Sequence, residues 1–226
     1  MAKGGPVPLP YECPERRAYE ARREELMRAR AASRRRMGPG LRAAVDAYAN
    51  LRGDGAGFAI NRAAILDGKA AAGARDAVLA VDAALSSACG VRGGRTSRGE
   101  PLFRGLGGEY GRRLAERWTR PGTAMAFPGF LSTSFMPVTP LLYASPTLLV
   151  LRSHGLPFYF APREDELVLP RGTRWRLVKR YRATPTRASL SHPRHGSVSA
   201  DAVCGVVTVL ELELDAAFSD PEKICA

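Results

Sequence analysis

Two glutamates in this sequence are well placed for chemistry. Glu164 and Glu166 stand immediately before an apolar run that ends at Pro170. Alternation along a strand predicts that both glutamates point to one face and that Asp165 points to the other. Two carboxylates at the mouth of a strand suit a site that orients a hydroxyl and stabilises a cation. A solvated acidic turn in front of a strand is the alternative interpretation.

Two polar elements upstream could complete such a site. Arg104 ends a short predicted strand and is followed by a glycine. Ser132, Thr133 and Ser134 form the polar centre of a second strand-like stretch. Taken singly, an arginine at a strand end is an ordinary surface residue, and a serine–threonine run is an ordinary polar edge. The order and spacing of the elements therefore matter more than any one of them.

More familiar catalytic motifs are excluded by spacing. The glycine cluster that begins at Gly105 fails the G-x-G-x-x-G dinucleotide pattern, because Tyr110 stands where the third glycine is required. Ser132 lacks the G-x-S-x-G setting of a nucleophilic serine. His192 and His195 lie in a segment rich in proline and serine, for which a solvated position is the simpler interpretation.

The order of the predicted elements favours an α+β fold over an alternating α/β fold. Hydrophobic periodicity puts most helices in the first part of the chain and the strands in the second. The predicted helices cover residues 15–36, 41–51, 58–66, 76–88 and 109–118. The predicted strands cover residues 101–105, 124–135, 147–151, 156–160, 164–169, 174–181 and 203–214.

The three polar elements together resemble the motifs of one enzyme family. Arg104, Ser132 and Glu166 are separated by 28 and 34 residues. They resemble the arginine–serine–glutamate class of mono-ADP-ribosyltransferases, which includes clostridial binary toxins and vertebrate arginine-specific enzymes. The matching stretches are Leu102-Phe103-Arg104-Gly105, Phe127 to Ser134, Glu164 to Thr173, and the helix pair from Tyr48 through Asn61 to Leu66. The resemblance covers about residues 41–214. It implies two packed, mostly antiparallel sheets around an NAD cleft, with N-terminal helices.

The resemblance also implies a reaction. The substrate would be NAD, and its N-glycosidic bond to nicotinamide would break through a cation-like transition state at the ribose. Glu166 would hydrogen-bond a ribose hydroxyl and stabilise that cation, and Ser132 would orient Glu166. Arg104 would bind the pyrophosphate. Glu164 implies arginine as the acceptor, because a carboxylate can hold a guanidinium through two hydrogen bonds.

Further contacts to NAD are implied at other matching positions. The backbone of Gly105 would face the nicotinamide amide, where a side chain would obstruct approach. Tyr143 would stack on nicotinamide, and a packed core tyrosine is an equal alternative. The remaining implied contacts come from Thr133, Ser134 and Asn61. NAD is expected as a substrate, and no metal is expected.

The formal net charge of +12 bears on the choice of partner. It indicates attraction to acidic partners, or it reflects an arginine-rich genomic composition. Nucleic acid is therefore a second candidate acceptor, less favoured than a protein that presents arginine. An inactive NAD-binding protein of the same fold is a further alternative, against which the intact set of Arg104, Ser132 and Glu166 argues.

Three segments are expected along the chain: a basic N-terminal arm or helix at residues 1–40, a catalytic domain at 41–215, and a C-terminal tail at 216–226. The arm either binds a partner or is a solvated, partly docked helix. We expect a monomer without a transmembrane segment. The start of the sequence lacks a standard secretory signal, which favours an intracellular enzyme or a specially delivered effector. The four cysteines lack metal-ligand spacing and are expected to be free thiols.

Overall fold

The helices come mainly before the strands, as the sequence predicts. The structure is a computed structural model that describes residues 5–49, 56–66 and 72–215. The helices are α1 Arg16–Arg36, α2 Pro39–Ala49, α3 Ala56–Leu66, α4 Ala72–Ser86, α5 Gly108–Arg117 and α6 Val138–Leu141. The predicted end of the 41–51 helix and the predicted tail at 216–226 lie outside the described residues.

The strands of the described chain form one large sheet and one small hairpin. They are β1 Val7–Pro8, β2 Pro101–Leu106, β3 Ala124–Phe127, β4 Leu131–Ser134, β5 Thr147–Arg152, β6 Tyr159–Ala161, β7 Glu166–Leu169, β8 Thr173–Thr184, β9 Ser191–His192, β10 Gly196–Ser197 and β11 Val207–Leu214. The sheet runs β1-β8-β11-β5-β2-β4-β7-β6, and β3 pairs with β8. Its pairs are antiparallel except β1 with β8 and β11 with β5. The α+β class with N-terminal helices is confirmed.

The large sheet nearly divides between β2 and β4. These two strands share a single register pair, Phe103 with Ser134. On either side the pairing is longer: β2 runs along β5 from Pro101 to Leu106, and β4 runs along β7 from Leu131 to Ser134. The sheet therefore consists of two halves, β1-β8-β11-β5-β2 and β4-β7-β6, which meet at one residue pair.

Strand β5 is the centre of the larger half. It lies between β2 and β11, and every residue of β5 except Arg152 is buried. Leu149 and Leu151 belong to the main core cluster, whereas Leu148 and Val150 belong to a second cluster on the other face. A strand buried on both faces explains the continuous apolar run that predicted it.

Helices α2, α3 and α4 cover the smaller half of the sheet. They share a core cluster with Phe130, Tyr159 and Val168. A polar contact fixes the same layer, because Tyr159 in β6 donates its hydroxyl to Asp46 of α2 at 2.9 Å. Arg34 of α1 donates to the same carboxylate at 2.7 Å. These bonds join α1 and α2 to each other and to β6, the edge strand of the sheet.

Helix α1 is packed on the main core although its apolar stripe is thin. Tyr19 and Leu26 are 1% and 0% exposed and belong to the main core cluster. Most of the arginines on the helix remain exposed or half-buried. The boundary drawn at residue 40 stays a prediction.

A proline–glycine pair divides the predicted strand 124–135 in two. Strand β3 pairs with β8, whereas β4 pairs with β7. Pro128 cannot donate a main-chain hydrogen bond to a ladder. A Cβ on Gly129 would lie 2.4 Å from the Oδ1 atom of Asn61. The glycine therefore lets α3 approach the chain at the point where it changes partners.

The expectation that the cysteines are free thiols is wrong for Cys89. Cys89 is disulfide-bonded, whereas Cys13 and Cys204 are free and partly buried. Sequence spacing alone gave no signal for this bond, because the cysteines are far apart along the chain.

Within the described residues, no helix is both long and apolar enough to cross a membrane.

Two helical glycines give a matched test of how α5 is packed against β2. A Cβ on Gly111 would lie 2.3 Å from the main-chain oxygen of Leu106, whereas a Cβ on Gly73 of α4 would meet no atom within 4 Å. We expect Gly111→Ala to lower the free energy of unfolding by about 1–3 kcal/mol. Gly73→Ala should raise it slightly, by about 0.5 kcal/mol. Urea unfolding of both variants measures the difference, and equal effects would contradict this account of the contact.

Candidate active site

A cleft of about 350 Å³ opens where β2 and β4 separate. Strands β2 and β4, helix α6 and the start of β7 contribute to its walls, and α2 and α3 close one side. All nine site residues proposed from the sequence line this one cleft: Asn61, Arg104, Gly105, Ser132, Thr133, Ser134, Tyr143, Glu164 and Glu166. The fold therefore brings together residues from five separate stretches of the chain.

Arg104 spans the gap between the two halves of the sheet. Its Nη1 atom donates to the main-chain oxygen of Ser132 at 2.8 Å. Its Nε atom is buried and has no hydrogen-bond partner among the described residues. A buried N–H without a partner is costly, so this atom favours a ligand that brings an acceptor. The guanidinium is thus held in place by the protein and keeps a donor for an anion.

Glu166 is the first residue of β7 and is almost completely buried. It lies in register between Ser134 of β4 and Ala161 of β6, and it is 8% exposed. Burial raises the pKa of its carboxyl from 4.5 to about 7, and the negative charge of Glu164 adds to the rise. The Ser132 hydroxyl and the Arg104 guanidinium act in the opposite direction. The site therefore holds a carboxyl whose charge changes near neutral pH.

Glu164 reaches the cleft from a turn and not from a strand. Residues 162–165 form the turn between β6 and β7, so the predicted strand at 164–165 is wrong. Asp165 has a φ of +50°, the left-handed conformation that reverses the chain direction locally. Glu164 and Glu166 nevertheless both line the cleft while Asp165 does not. The predicted division between the faces is correct, and a left-handed turn produces it in place of strand alternation.

Tyr143 contacts Glu164 across the mouth of the cleft. Its hydroxyl donates to the Oε2 atom of Glu164 at 2.8 Å. Partial burial and the negative charge of Glu164 raise the pKa of Tyr143 to about 12. The side chain is 62% exposed, which excludes the alternative of a packed core tyrosine. The ring is therefore available at the cleft while its hydroxyl is held in place.

Gly105 is required by the chain that packs beside it. A Cβ at this position would lie 2.5 Å from Ser145 Oγ and 2.8 Å from the main-chain oxygen of Pro140. The segment that follows α6 thus closes directly over β2. This observation gives a structural reason for the glycine that is independent of any contact between its backbone and a ligand.

The hydroxyls of Thr133 and Ser134 already have partners within the fold. Thr133 donates to the main-chain oxygen of Leu167 at 2.9 Å. The Oγ atom of Ser134 accepts the main-chain N–H of Met136 at 3.0 Å. Both residues are buried. The Thr133 bond joins β4 to β7, whereas the Ser134 bond is made within the turn that follows β4.

Two residues in or beside the cleft were not among the site residues proposed from the sequence. Tyr48 of α2 lines the cleft, with its hydroxyl 3.4 Å from that of Ser132, and burial raises its pKa to about 12. Asp165 is 5% exposed and contacts Tyr19, which is 146 positions away in sequence. Tyr48 could have been suspected as the polar member of an apolar helical face, but no local signal marks Asp165.

Asn61 of α3 presents a second unpaired polar atom at the cleft, here an acceptor. Its Oδ1 atom is buried and has no hydrogen-bond partner among the described residues. Gly129 lies against this atom, so the side chain has little freedom to turn away.

Within the same described ranges, no group of three or more histidine, cysteine, aspartate or glutamate side chains is arranged to hold a metal ion.

Comparison with solved structures identifies the fold. The chain superposes on Plx2a, an ADP-ribosyltransferase toxin from Paenibacillus larvae, with a TM-score of 0.63 and 16% identity over 87% of this chain and 96% of that one. It matches Vis toxin, an ADP-ribosyltransferase from Vibrio splendidus, with a TM-score of 0.58 and 12% identity over 93% and 91%. The protein therefore has the fold of the ADP-ribosyltransferase toxins.

The binary toxins give a partial match in length. The ADP-ribosylating toxin BECa of C. perfringens, solved with NADH, matches with a TM-score of 0.60 and 14% identity. The match covers 88% of this chain and 48% of BECa, so the chain spans about half the length of that component. No protein-family model and no curated protein sequence matches the chain. The likeness is therefore one of fold.

The buried charge of Glu166 should make stability depend on pH. Because its pKa is raised on folding, its contribution to stability is fully present below about pH 4.5 and is lost as the pH rises through about 7. We expect Glu166→Gln to gain stability relative to the original chain over this window, reaching about 2–4 kcal/mol at pH 8. Denaturant unfolding at pH 5 and pH 8 measures it. Glu116→Gln, a change at an exposed residue of α5, is the control, and a gain that does not vary with pH would contradict the assignment.

Proposed function

We propose that this protein is an NAD-dependent mono-ADP-ribosyltransferase that transfers ADP-ribose to an arginine of an acceptor protein and releases nicotinamide. The observation that carries the proposal is the convergence of Arg104, Ser132, Glu164 and Glu166 on one cleft. The fold shared with ADP-ribosyltransferase toxins supports it independently.

Support for NAD as the substrate comes from the unpaired polar atoms in the cleft. Arg104 carries a permanent, forked positive charge, and its buried Nε donor has no partner among the described residues. In the proposal it binds the pyrophosphate. The buried Oδ1 acceptor of Asn61 binds a donor group of the nucleotide, and the exposed ring of Tyr143 stacks on nicotinamide. The volume of the cleft falls within the range of small-molecule sites.

Glu166 has the environment that cleavage of a glycosidic bond needs. The bond between the ribose and the nicotinamide nitrogen breaks with its electron pair leaving on nicotinamide, so positive charge develops on the ribose. A buried carboxylate stabilises such charge more strongly than a solvated one. Glu166 also accepts a hydrogen bond from a ribose hydroxyl in the proposal, and Ser132 keeps its carboxylate oriented. The developing cation in turn favours the ionised form of this carboxyl.

Glu164 supplies the selectivity for arginine in this proposal. Its carboxylate binds the incoming guanidinium and receives the proton that the nitrogen loses when it attacks the ribose carbon. The Tyr143 hydroxyl already donates to the Oε2 atom of Glu164. Because a carboxylate oxygen can accept more than one hydrogen bond, an arginine bound to Glu164 lies beside the Tyr143 hydroxyl in this proposal, and acceptor binding is thereby coupled to the aromatic wall of the cleft.

The two glutamates should separate by mutation. We expect Glu166→Gln to lower both NAD hydrolysis and transfer to arginine by at least about 10²-fold, because charge stabilisation is lost from both reactions. Glu164→Gln should abolish transfer while NAD hydrolysis persists. Nicotinamide release with and without an arginine-containing peptide measures both activities. Glu116→Gln is the control, and equal losses in the two cleft variants would count against this division of roles.

The net charge of +12 favours one competing acceptor, nucleic acid. Labelled NAD incubated with a cell lysate distinguishes the two acceptors. We expect the label to be released by protease and to resist nuclease. Label that resists protease and is lost with nuclease would overturn the arginine assignment. If the protein neither labels an acceptor nor releases nicotinamide, it is instead an inactive protein of this fold.

A further inference from the structure

Helix α1 reaches the acidic turn through a buried polar contact. The hydroxyl of Tyr19 donates to the Oδ2 atom of Asp165 at 2.7 Å. Both side chains are buried, with 1% and 5% exposure. Asp165 stands between Glu164 and Glu166, the two residues to which the proposed function assigns the chemistry. A residue that does not line the cleft is thus bonded to the segment that carries both carboxylates.

A second residue of α1 contacts the same turn at both of its ends. The Nε atom of Arg23 lies 3.3 Å from the Oδ1 atom of Asp165. Its Nη2 atom donates to the main-chain oxygen of Pro162 at 3.3 Å. Tyr19 and Arg23 are one helical turn apart, so they face the same side of α1. The helix therefore contacts the turn at its first and last residues.

Tyr19 also contacts the strand that carries Ser132. Its ring stacks on Phe135 with 5.8 Å between the ring centroids, and Phe135 follows directly after β4. On the other side, the edge of the ring faces His192 at 5.3 Å. The Nε2 atom of His192 lies 3.4 Å from the Oδ2 atom of Asp165. One tyrosine thus touches the residue that follows β4 and the turn that precedes β7, two of the elements that contribute to the cleft.

The backbone at Asp165 explains why these contacts matter. Its left-handed φ of +50° is unfavourable for most residues and is tolerated best by glycine, asparagine and aspartate. Without contacts at its side chain, a short turn has few reasons to keep this conformation. The conformation turns Glu164 into the cleft just before β7 begins at Glu166.

We infer that Tyr19, Arg23 and Asp165 form a clamp, here called the α1 clamp, that positions Glu164 and Glu166 for the reaction. Its members are positioning residues, since none of them lines the cleft. The inference assigns α1 a role in catalysis in place of, or in addition to, partner binding. It rests on the proposed function for its kinetic test, but not for the test by hydrogen exchange.

The kinetic test separates positioning from binding. We expect Tyr19→Phe to lower kcat for NAD cleavage about 5-fold and Asp165→Ala to lower it about 10²-fold, because a small displacement of the catalytic group is costly. The KM for NAD should stay within about twofold, because Arg104 and Asn61 hold the nucleotide in the proposal. Asp165→Asn, which tolerates the left-handed backbone and can accept from Tyr19, should recover kcat to within about 5-fold of the original chain.

A matched control removes the same kind of bond elsewhere. The hydroxyl of Tyr181 donates to Glu211 at 2.9 Å, between β8 and β11. Tyr181→Phe should lower the melting temperature and leave kcat unchanged. The clamp is overturned if folded Tyr19→Phe and Asp165→Ala keep kcat within twofold, or if Tyr181→Phe loses kcat as Tyr19→Phe does.

Hydrogen exchange tests the clamp without any reaction. Compared with the original chain, Tyr19→Phe should exchange faster at the amides of residues 163–167, and Tyr181→Phe should not. Unchanged exchange at this turn would overturn the clamp even if activity fell. If the original chain does not cleave NAD, the proposed function fails and the exchange experiment alone decides on the clamp.

Discussion

The burial of the Glu166 carboxyl is the constraint on which the rest of the site depends. Removing a carboxylate from water disfavours its charge, and here the pKa rises to about 7 although Arg104 and Ser132 oppose the shift. The fold thus keeps a group that destabilises it at neutral pH. Such a group is tolerated where function needs it, and a cation that forms beside it restores its preference for the ionised state. The chemistry proposed for the cleft and the cost in stability are consequences of the same burial.

Arg104 links that carboxyl to the architecture of the sheet. Strands β2 and β4 share one register pair and then separate, which leaves room for a ligand at the price of an interrupted ladder. The bond from Arg104 to the main-chain oxygen of Ser132 crosses the interruption. The arginine that lowers the pKa of Glu166 therefore also supports the opening in which Glu166 lies. Arg104 affects both the charge of Glu166 and the junction between β2 and β4. A substitution of Arg104 would therefore disturb both.

Much of the fold and the cleft could be predicted from local sequence, and the reasons for the failures are physical. The apolar run of β5 and the polar residues at the ends of β2, β4 and β7 stand out within a few positions. The resemblance to a family's motifs supplied the other site residues, and all nine proposed residues line one cleft. The contact of Asp165 with Tyr19 could not be found this way, because it joins residues 146 positions apart. The disulfide at Cys89 and the close approach of Ser145 to Gly105 likewise depend on tertiary structure.

The acidic triplet shows how three adjacent carboxylates can be kept apart. Glu164 is partly exposed and bonded to Tyr143, Asp165 is buried against α1, and Glu166 is buried in the cleft. An extended strand would have left Glu164 and Glu166 side by side without a turn between them. The left-handed residue costs about 1 kcal/mol or more, and its retention requires contacts that offset this cost. Local backbone preference and tertiary structure disagree at Asp165, and such disagreement is typical of functional sites. The residue interpreted from the sequence as pointing away from the site is therefore the one whose conformation determines where its two neighbours point.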